Sequence, residues 1–323
     1  MTKKINFFYQ AVFTFLLLCF IILLTFWQGY FNAVKGGFLL WLTIIAPSMF
    51  PYLIITTMMS EIPFLEYSLA KFTPITKKLF KTSGLTLYAF FMSIICGYPV
   101  GASIISNLKN KGAIDGAEAE RACVFCSTSS PTFTVLCVGK LMFNSVKLGI
   151  FLYLINVSVA ILSGIITRNY KKEEPLLKPV LKSGKSNINF YDCVYESVIS
   201  TLVVGGIITF FFILTELLYF LNLLSPFTFI FSKVFSNETT AKGLVFGIFE
   251  STKGLSVLSS GKINLFSLPL CAFICGFGGI SVIMQSIAFL KSAKIKTARF
   301  IAFKLLHAVL GFTLGLICSV LFF

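Results

Sequence analysis

Long apolar runs without charge, separated by short stretches that hold most of the lysines and arginines, constrain this chain more than any other feature. The run AVFTFLLLCFIILLTFW at 11–27 follows Lys3-Lys4, and comparable runs fill 37–60, 148–167, 198–223 and 300–323. Runs of this length match the ~30 Å hydrocarbon core of a bilayer when helical. Only helices satisfy their own backbone groups there, apart from closed barrels with alternating strands. Charged residues make up 12% of the chain and hydrophobic ones 57%, against about 25% charged in soluble domains. The sequence therefore predicts an all-α polytopic membrane protein. The net charge of +15 does not point to nucleic acid, because its cations lie between the apolar runs, where the positive-inside rule acts.

The run 11–27 reads as an anchor helix rather than a signal peptide, since it exceeds a usual signal core and no small-x-small cleavage site follows. Beyond it the pattern repeats. Residues 37–60 are a span with Pro47 and Pro51, and 65–82, with Lys71, Lys77, Lys78 and Lys81, are an interfacial piece. Residues 85–106 are broken at Gly97-Tyr98-Pro99, 117–144 are broken around Cys126–Pro131, and 148–167 are an uninterrupted span. After the basic loop 168–188 come a span at 198–223 and a short aromatic piece at 225–236. Then follow 241–262 broken at Glu250–Gly254, 264–290 broken at Gly276–Gly279, and a last span at 300–323. The expected units are an anchor (1–29), a first membrane repeat (30–168), a cytoplasmic basic loop (169–190) and a second membrane repeat (191–323). Two structural repeats with interrupted helices are a transporter pattern.

Leu85 to Cys96 is too short to cross, at roughly 18 Å of helix. If this segment and its counterpart at 241–262 are re-entrant hairpins and the N-terminus is cytoplasmic, 20 of the 27 Lys and Arg fall inside. Only Lys35, Lys140, Lys147, Lys233, Lys242, Lys253 and Lys262 fall outside. Letting both hairpins cross weakens that bias, and letting only the first cross reverses it. The hairpin arrangement gives seven spans and sets the halves in opposite orientation. The expected fold is thus an inverted repeat with two re-entrant hairpins and two broken transmembrane helices.

Irregular backbone at membrane depth survives only where it is buried in protein or lines a polar cavity. Four breaks, Gly97–Ala102, Ser127–Thr132, Glu250–Gly254 and Gly276–Ser281, are expected to meet near the midplane. Broken helix ends offer free N–H groups and positive dipoles. The expected substrate-binding residues are Gly97, Tyr98, Pro99, Ser127, Ser129, Ser130, Thr132, Ser251, Thr252, Gly278, Gly279, Ser281 and Gln285, with Thr128 adding a further hydroxyl. This set suits a small polar or anionic solute and not a hard metal ion, which wants several carboxylates; no metal or cofactor is expected.

Glu250 is the expected coupling group, for a proton or Na+, because an ionisable side chain at that depth is functional by default. Lys253, three residues on, is its nearest partner in sequence. Glu216 and His307, the single histidine, stay open between function and packing. Cys123 and Cys126 form one C-x-x-C without further zinc ligands. One histidine cannot supply H-E-x-x-H, and Asp115 and Asp192 lie in polar stretches, so an intramembrane enzyme is not expected. Gly311 and Gly315 form a G-x-x-x-G helix-packing signal. Asn237-Glu-Thr239 is a glycosylation sequon, meaningful only in a secretory pathway.

Gly97-Tyr98-Pro99-Val100-Gly101-Ala102 is one of several motifs that together carry a resemblance. The others are Ala117-Glu118-Ala119-Glu120-Arg121 leading to Phe125-Cys126 and Ser130-Pro131, Phe249-Glu250 with Lys253-Gly254, and Gly276-Phe277-Gly278-Gly279-Ile280-Ser281-Val282. Over about 30–323 the chain resembles the YlbJ-type sporulation integral membrane proteins, in the nucleoside-recognition Gate domain group. The resemblance implies a spore-forming bacterium, a place in the mother-cell-derived outer forespore membrane, and movement of dipicolinic acid, a small aromatic dianion, towards the forespore. Tyr98 and Phe277 could stack on its ring. A nucleoside or another small metabolite is the alternative substrate, and a non-transporting structural protein of sporulation the alternative class.

Overall fold

The structure is a computed structural model that describes residues 2–60, 62, 68–69, 71–170 and 189–322. The described residues are helical without strands. The basic loop expected at 168–188 lies outside them from residue 171 on, as do parts of the interfacial piece expected at 65–82.

Helix α1 (Thr2–Thr25) contains the expected anchor and leaves Tyr9, Phe13, Phe20 and Leu24 exposed, an apolar surface suited to lipid. The first span is longer than its apolar core suggested. It starts with α2 (Trp27–Leu40), passes a π-helical turn at Trp41–Ile45, and continues as α3 (Ala46–Ser60). The two arms meet at 58°. Pro47 and Pro51 fall at and just after the bend, and each lacks the N–H that would bond the preceding turn.

A short helix α4 (Thr73–Leu79) follows, with a proline in its first turn. Next comes a hairpin of α5 (Leu85–Cys96) and α6 (Val100–Asn110), then α7 (Gly116–Phe125), a π helix at Thr132–Met142, and α8 (Val146–Thr167). The second half repeats this order. It runs from α9 (Phe190–Phe220) to the short α10 (Ser225–Phe235), again with an early proline. A hairpin of α11 (Glu238–Phe249) and α12 (Ser251–Ser259) follows, then α13 (Ser267–Phe277), α14 (Gly279–Ser292) and α15 (Thr297–Phe322). Polar side chains cap the starts: Asp115 Oδ1 accepts from Glu118 N–H at 2.6 Å, and Asn237 Oδ1 from Thr240 N–H at 3.0 Å.

Among the described residues, α8, α9, the α13–α14 unit and α15 are long and apolar enough to span a bilayer, and the bent pair at 27–59 makes a fifth candidate. This is an integral membrane protein with interrupted helices. The α13–α14 unit is the most enclosed, with 83% of its apolar window buried. The sequence put wider gaps at all four breaks than the chain has: Val100–Ala102 open α6 and Thr132 opens the π helix. Ser251–Gly254 are already helical, leaving Glu250 alone as the break, and Gly276 and Phe277 close α13, leaving Gly278 as the left-handed hinge.

The core forms where the halves cross. Residues of α5, α6 and α7 pack with Ile283 and Leu290 of α14, and α8 packs with α13 and α15. Gly311 and Gly315 put α15 so close to α13 that a Cβ there would come within 2.7 Å of Ala272 O and 2.6 Å of Pro269 Cα. The G-x-x-x-G signal is thus a backbone contact. The bent first span lies along α9, where Trp41 donates its indole N–H to Thr201 O at 3.1 Å.

Candidate functional site

Within each half, the break in the hairpin touches the break in the long helix, and a glycine makes the contact. In the first half Gly97, at φ +80°, sits where a Cβ would come within 2.8 Å of Ser130 N. In the second half Gly279, at φ +73°, sits where a Cβ would come within 3.0 Å of Ser251 N. Both positions need φ in the left-handed region and also lack room for a side chain, so glycine is required twice over.

Between the paired breaks lies a cavity of about 50 Å³, room for on the order of three to five waters. Of the residues expected from sequence, Gly97, Tyr98, Ser129, Ser130, Glu250, Ser251, Thr252 and Gln285 line it. They come from both halves. Pro99, Ser127, Thr132, Gly278, Gly279 and Ser281 do not. Phe277 stacks near Phe273 and is not part of the wall either. The apolar wall was not foreseen. Ile45 and Met49 come from the bend of the first span, Val204 and Ile208 from α9, with Cys96, Phe133 and Val282 completing it.

The polar groups are bonded into a network. Ser129 Oγ donates to Tyr98 Oη at 2.8 Å, joining the two breaks of the first half. Asn156 on α8 reaches the same serine, with Nδ2 at 3.3 Å from Ser129 Oγ and Oδ1 accepting from Ser129 N–H at 3.4 Å. Its signal was a lone amide in the run at 148–167, passed over as an uninterrupted span. Thr128 N–H donates to Ser93 Oγ at 3.0 Å, and Ser130 Oγ accepts from Phe133 N–H at 3.2 Å. Several helix-end amides expected to face a ligand are therefore already satisfied by neighbouring side chains.

Glu250 shows this most clearly. Its carboxylate is 1% exposed and caps α12: Oε2 accepts from Lys253 N–H at 2.6 Å, and Oε1 from Thr252 Oγ at 3.1 Å and Ser281 Oγ at 3.5 Å. A carboxylate at a helix N-terminus is favoured by the dipole as well as by the bonds. The expected partnership with the Lys253 side chain is not formed. The Lys253 ammonium turns to α9, 2.8 Å from Glu216 Oε1 and 2.7 Å from Thr215 Oγ, with Phe212 O at 3.3 Å. The reason is direction: the N-cap side chain reaches its helix's first amides, while the lysine at the third helical position points outward to the neighbouring helix. Glu216, open from sequence, is thus one end of a partly buried ion pair.

A second cation went unrecognised. Lys304 fell among the 20 charges expected on the cytoplasmic side, but it lies inside α15 and is 1% exposed. Its ammonium reaches Ser127 Oγ at 3.3 Å and Ser127 O at 3.5 Å and stands 5.1 Å from the Tyr98 ring centre. Insertion scales put a lysine at the centre of a span at about 2.5–3.5 kcal/mol. His307, one turn further, is buried at 2%, with Nε2 lacking a hydrogen-bond partner.

The charges of the Ala117–Arg121 motif do other work. Glu118 Oε1 accepts from both Ser83 N–H and Ser83 Oγ at 2.6 Å, and Arg121 donates to Lys81 O and Tyr170 O, each at 3.1 Å. They tie α7 to the start of α5 and the end of α8. Cys123 and Cys126 are free buried thiols, and Asn237 of the sequon is the cap of α11.

A helical membrane scaffold with paired breaks around a cavity that carries polar groups on one side defines a polytopic integral membrane protein with an internal cavity. The chain is similar to the sporulation integral membrane protein YlbJ of Bacillus subtilis (strain 168), with 28% identity over 312 residues, 87% of this chain and 76% of that protein. The YlbJ-type resemblance carried by the motifs is thereby borne out over most of the chain. No protein-family model matches the sequence, and no solved structure matches the fold.

Proposed function

We propose that this protein is a secondary transporter of a small polar anion, built as an inverted repeat with two re-entrant hairpins. Dipicolinic acid is the substrate we favour, moved across the outer forespore membrane during sporulation. The observation that carries the reading is the convergence of backbone breaks from both halves, with their hydroxyls and one carboxylate, on one cavity. Site-forming breaks at the interface of two repeats are how alternating-access transporters hold a solute at mid-membrane. The matched elements, a 12-residue first hairpin arm in each half and an early proline in each short helix, support the repeat. The positive-inside count supports its inversion and a cytoplasmic N-terminus. The dipicolinate reading rests on the resemblance to YlbJ, itself a sporulation membrane protein by name.

Glu250 is the coupling group in this reading, carrying a proton or facing Na+. It is the one charged side chain among the described residues that line the cavity, so its neutralisation would lower the barrier to an anion in the same space. That same observation favours a second reading, a neutral hydroxyl-rich solute such as a nucleoside, which needs no cation in the wall.

Uptake by the purified protein in proteoliposomes separates these readings. Labelled dipicolinate should accumulate and nucleosides should not. Nucleoside uptake without dipicolinate uptake would transfer the site to the second reading, and uptake of neither would remove both.

A further inference from the structure

The cavity wall is one residue thick where Tyr98 stands, and behind it is a buried ammonium. Tyr98 lines the cavity and also carries the Lys304 ammonium over its ring at 5.1 Å. Ser127, the residue that Lys304 touches, is two positions before Ser129, which lines the cavity.

Lys304 is poorly paid for the water it has lost. Its two contacts, at 3.3 and 3.5 Å, are long for an ammonium, and both go to one serine. Charge-assisted bonds usually run at about 2.7–2.9 Å. Among the described residues no carboxylate lies within ion-pair distance of it, although Lys253, the other buried cation of the second half, has Glu216. An ammonium with unmet bonding inside α15 is an anion's partner without the anion.

We propose that Lys304, braced by Ser127, is the residue that receives a carboxylate of the transported anion once the Tyr98 side chain turns out of the way. This deepens the transport reading and rests on it. Turning Tyr98 breaks the 2.8 Å bond to Ser129 and opens the ammonium to the cavity. The carboxylate adds a charge-assisted bond to the two long contacts with Ser127. Its ring can take the place beside the cation that the tyrosine ring gives up. The site then has a cation on one side and Glu250 on the other, and only an acidic solute satisfies the first.

The test uses the full chain purified in detergent, read by ligand-induced thermal stabilisation and uptake. The probes are acetate, benzoate, isophthalate, dipicolinate and the neutral diamide of dipicolinate. At least one carboxylate should stabilise the wild type and the diamide should not. Lys304→Gln should weaken that carboxylate roughly tenfold or more, with an unliganded melting temperature no lower than wild type, because an uncompensated charge has been removed. Lys304→Arg should retain most of the binding. If a carboxylate stabilises Lys304→Gln as well as wild type, or if none stabilises wild type, the inference is overturned. Stabilisation by benzoate or isophthalate but not dipicolinate, lost in Lys304→Gln, upholds Lys304 and removes dipicolinate as the substrate. Should Lys304→Gln not fold, Ser127→Ala serves: several-fold weaker carboxylate binding supports the inference and unchanged binding overturns it.

Discussion

The Lys253 ammonium lies 2.8 Å from Glu216 Oε1, so a charge on the second hairpin is fastened to the first span of the same half. Phe246 and Phe212 flank the ammonium, at 4.6 and 5.3 Å from their ring centres. The carboxylate of Glu250 is left to its helix end, free of competition from the lysine. The fastening ties the first turn of α12, whose Ser251 and Thr252 line the cavity, to α9.

Breaking that pair leaves Lys253 buried without a carboxylate. Glu216→Gln should lower stability by about 1–3 kcal/mol, less than the ~3–5 kcal/mol of a fully buried pair, because Glu216 keeps 36% of its side chain exposed. Adding Lys253→Met should recover part of the loss. Thermal unfolding of both single variants and of the double measures it, and a double-variant loss equal to the sum of the two single losses would show that the pair carries no coupling.

Glu250→Gln keeps the shape and removes the charge. Loss of a cap costs about 1 kcal/mol, so the variant should fold. If Glu250 carries the coupling ion, uphill uptake is lost while exchange down the gradient continues. Uphill uptake that survives with an unchanged pH profile eliminates the coupling role and leaves Glu250 a helix cap.

Ser130 offers a direct probe of anion selectivity. Its hydroxyl caps the π helix at Phe133 N–H, and aspartate caps as well as serine does. Ser130→Asp should therefore keep the fold and abolish anion transport by like-charge repulsion. Ser158→Asp, on α8, should act through insertion or folding instead. Normal dipicolinate uptake by a folded Ser130→Asp protein would sink the anionic site.

Gly97→Ala and Gly279→Ala each place a Cβ against backbone and at positive φ. Each should cost about 1–3 kcal/mol and disturb transport by forcing the paired breaks apart. A melting temperature within a degree of wild type for both would refute the contact between breaks.

Topology is the broadest test. With the nine native cysteines replaced, a cysteine at position 109 should label from the cytoplasmic face and one at position 147 from the other. Labelling of position 109 from outside would end the first hairpin and the inverted repeat with it.

Hydropathy alone reached the helical membrane class, the order of elements in each half and the neighbourhood of every break, because these depend on local composition. Apolar length demands a helix in lipid, and Gly97-Tyr98-Pro99 and Gly278-Gly279 interrupt one wherever they occur. It also led to Glu250, an isolated carboxylate in an apolar segment. What it could not give was direction around a helix axis and contact between distant segments. Lys253 looked like the partner of Glu250 because they are three residues apart, yet the side chain points to α9. Lys304 looked like a loop charge because a membrane boundary is blurred in sequence by a turn or two, yet α15 starts at Thr297 and carries the lysine inward to Ser127. Asn156 and the apolar wall from Ile45, Met49, Val204 and Ile208 belong to runs whose residues look interchangeable until packing selects the inward face. Composition sets which segments enter the bilayer, but tertiary packing decides which few of their side chains meet, because that depends on helix rotation and close approach and not on hydrophobicity.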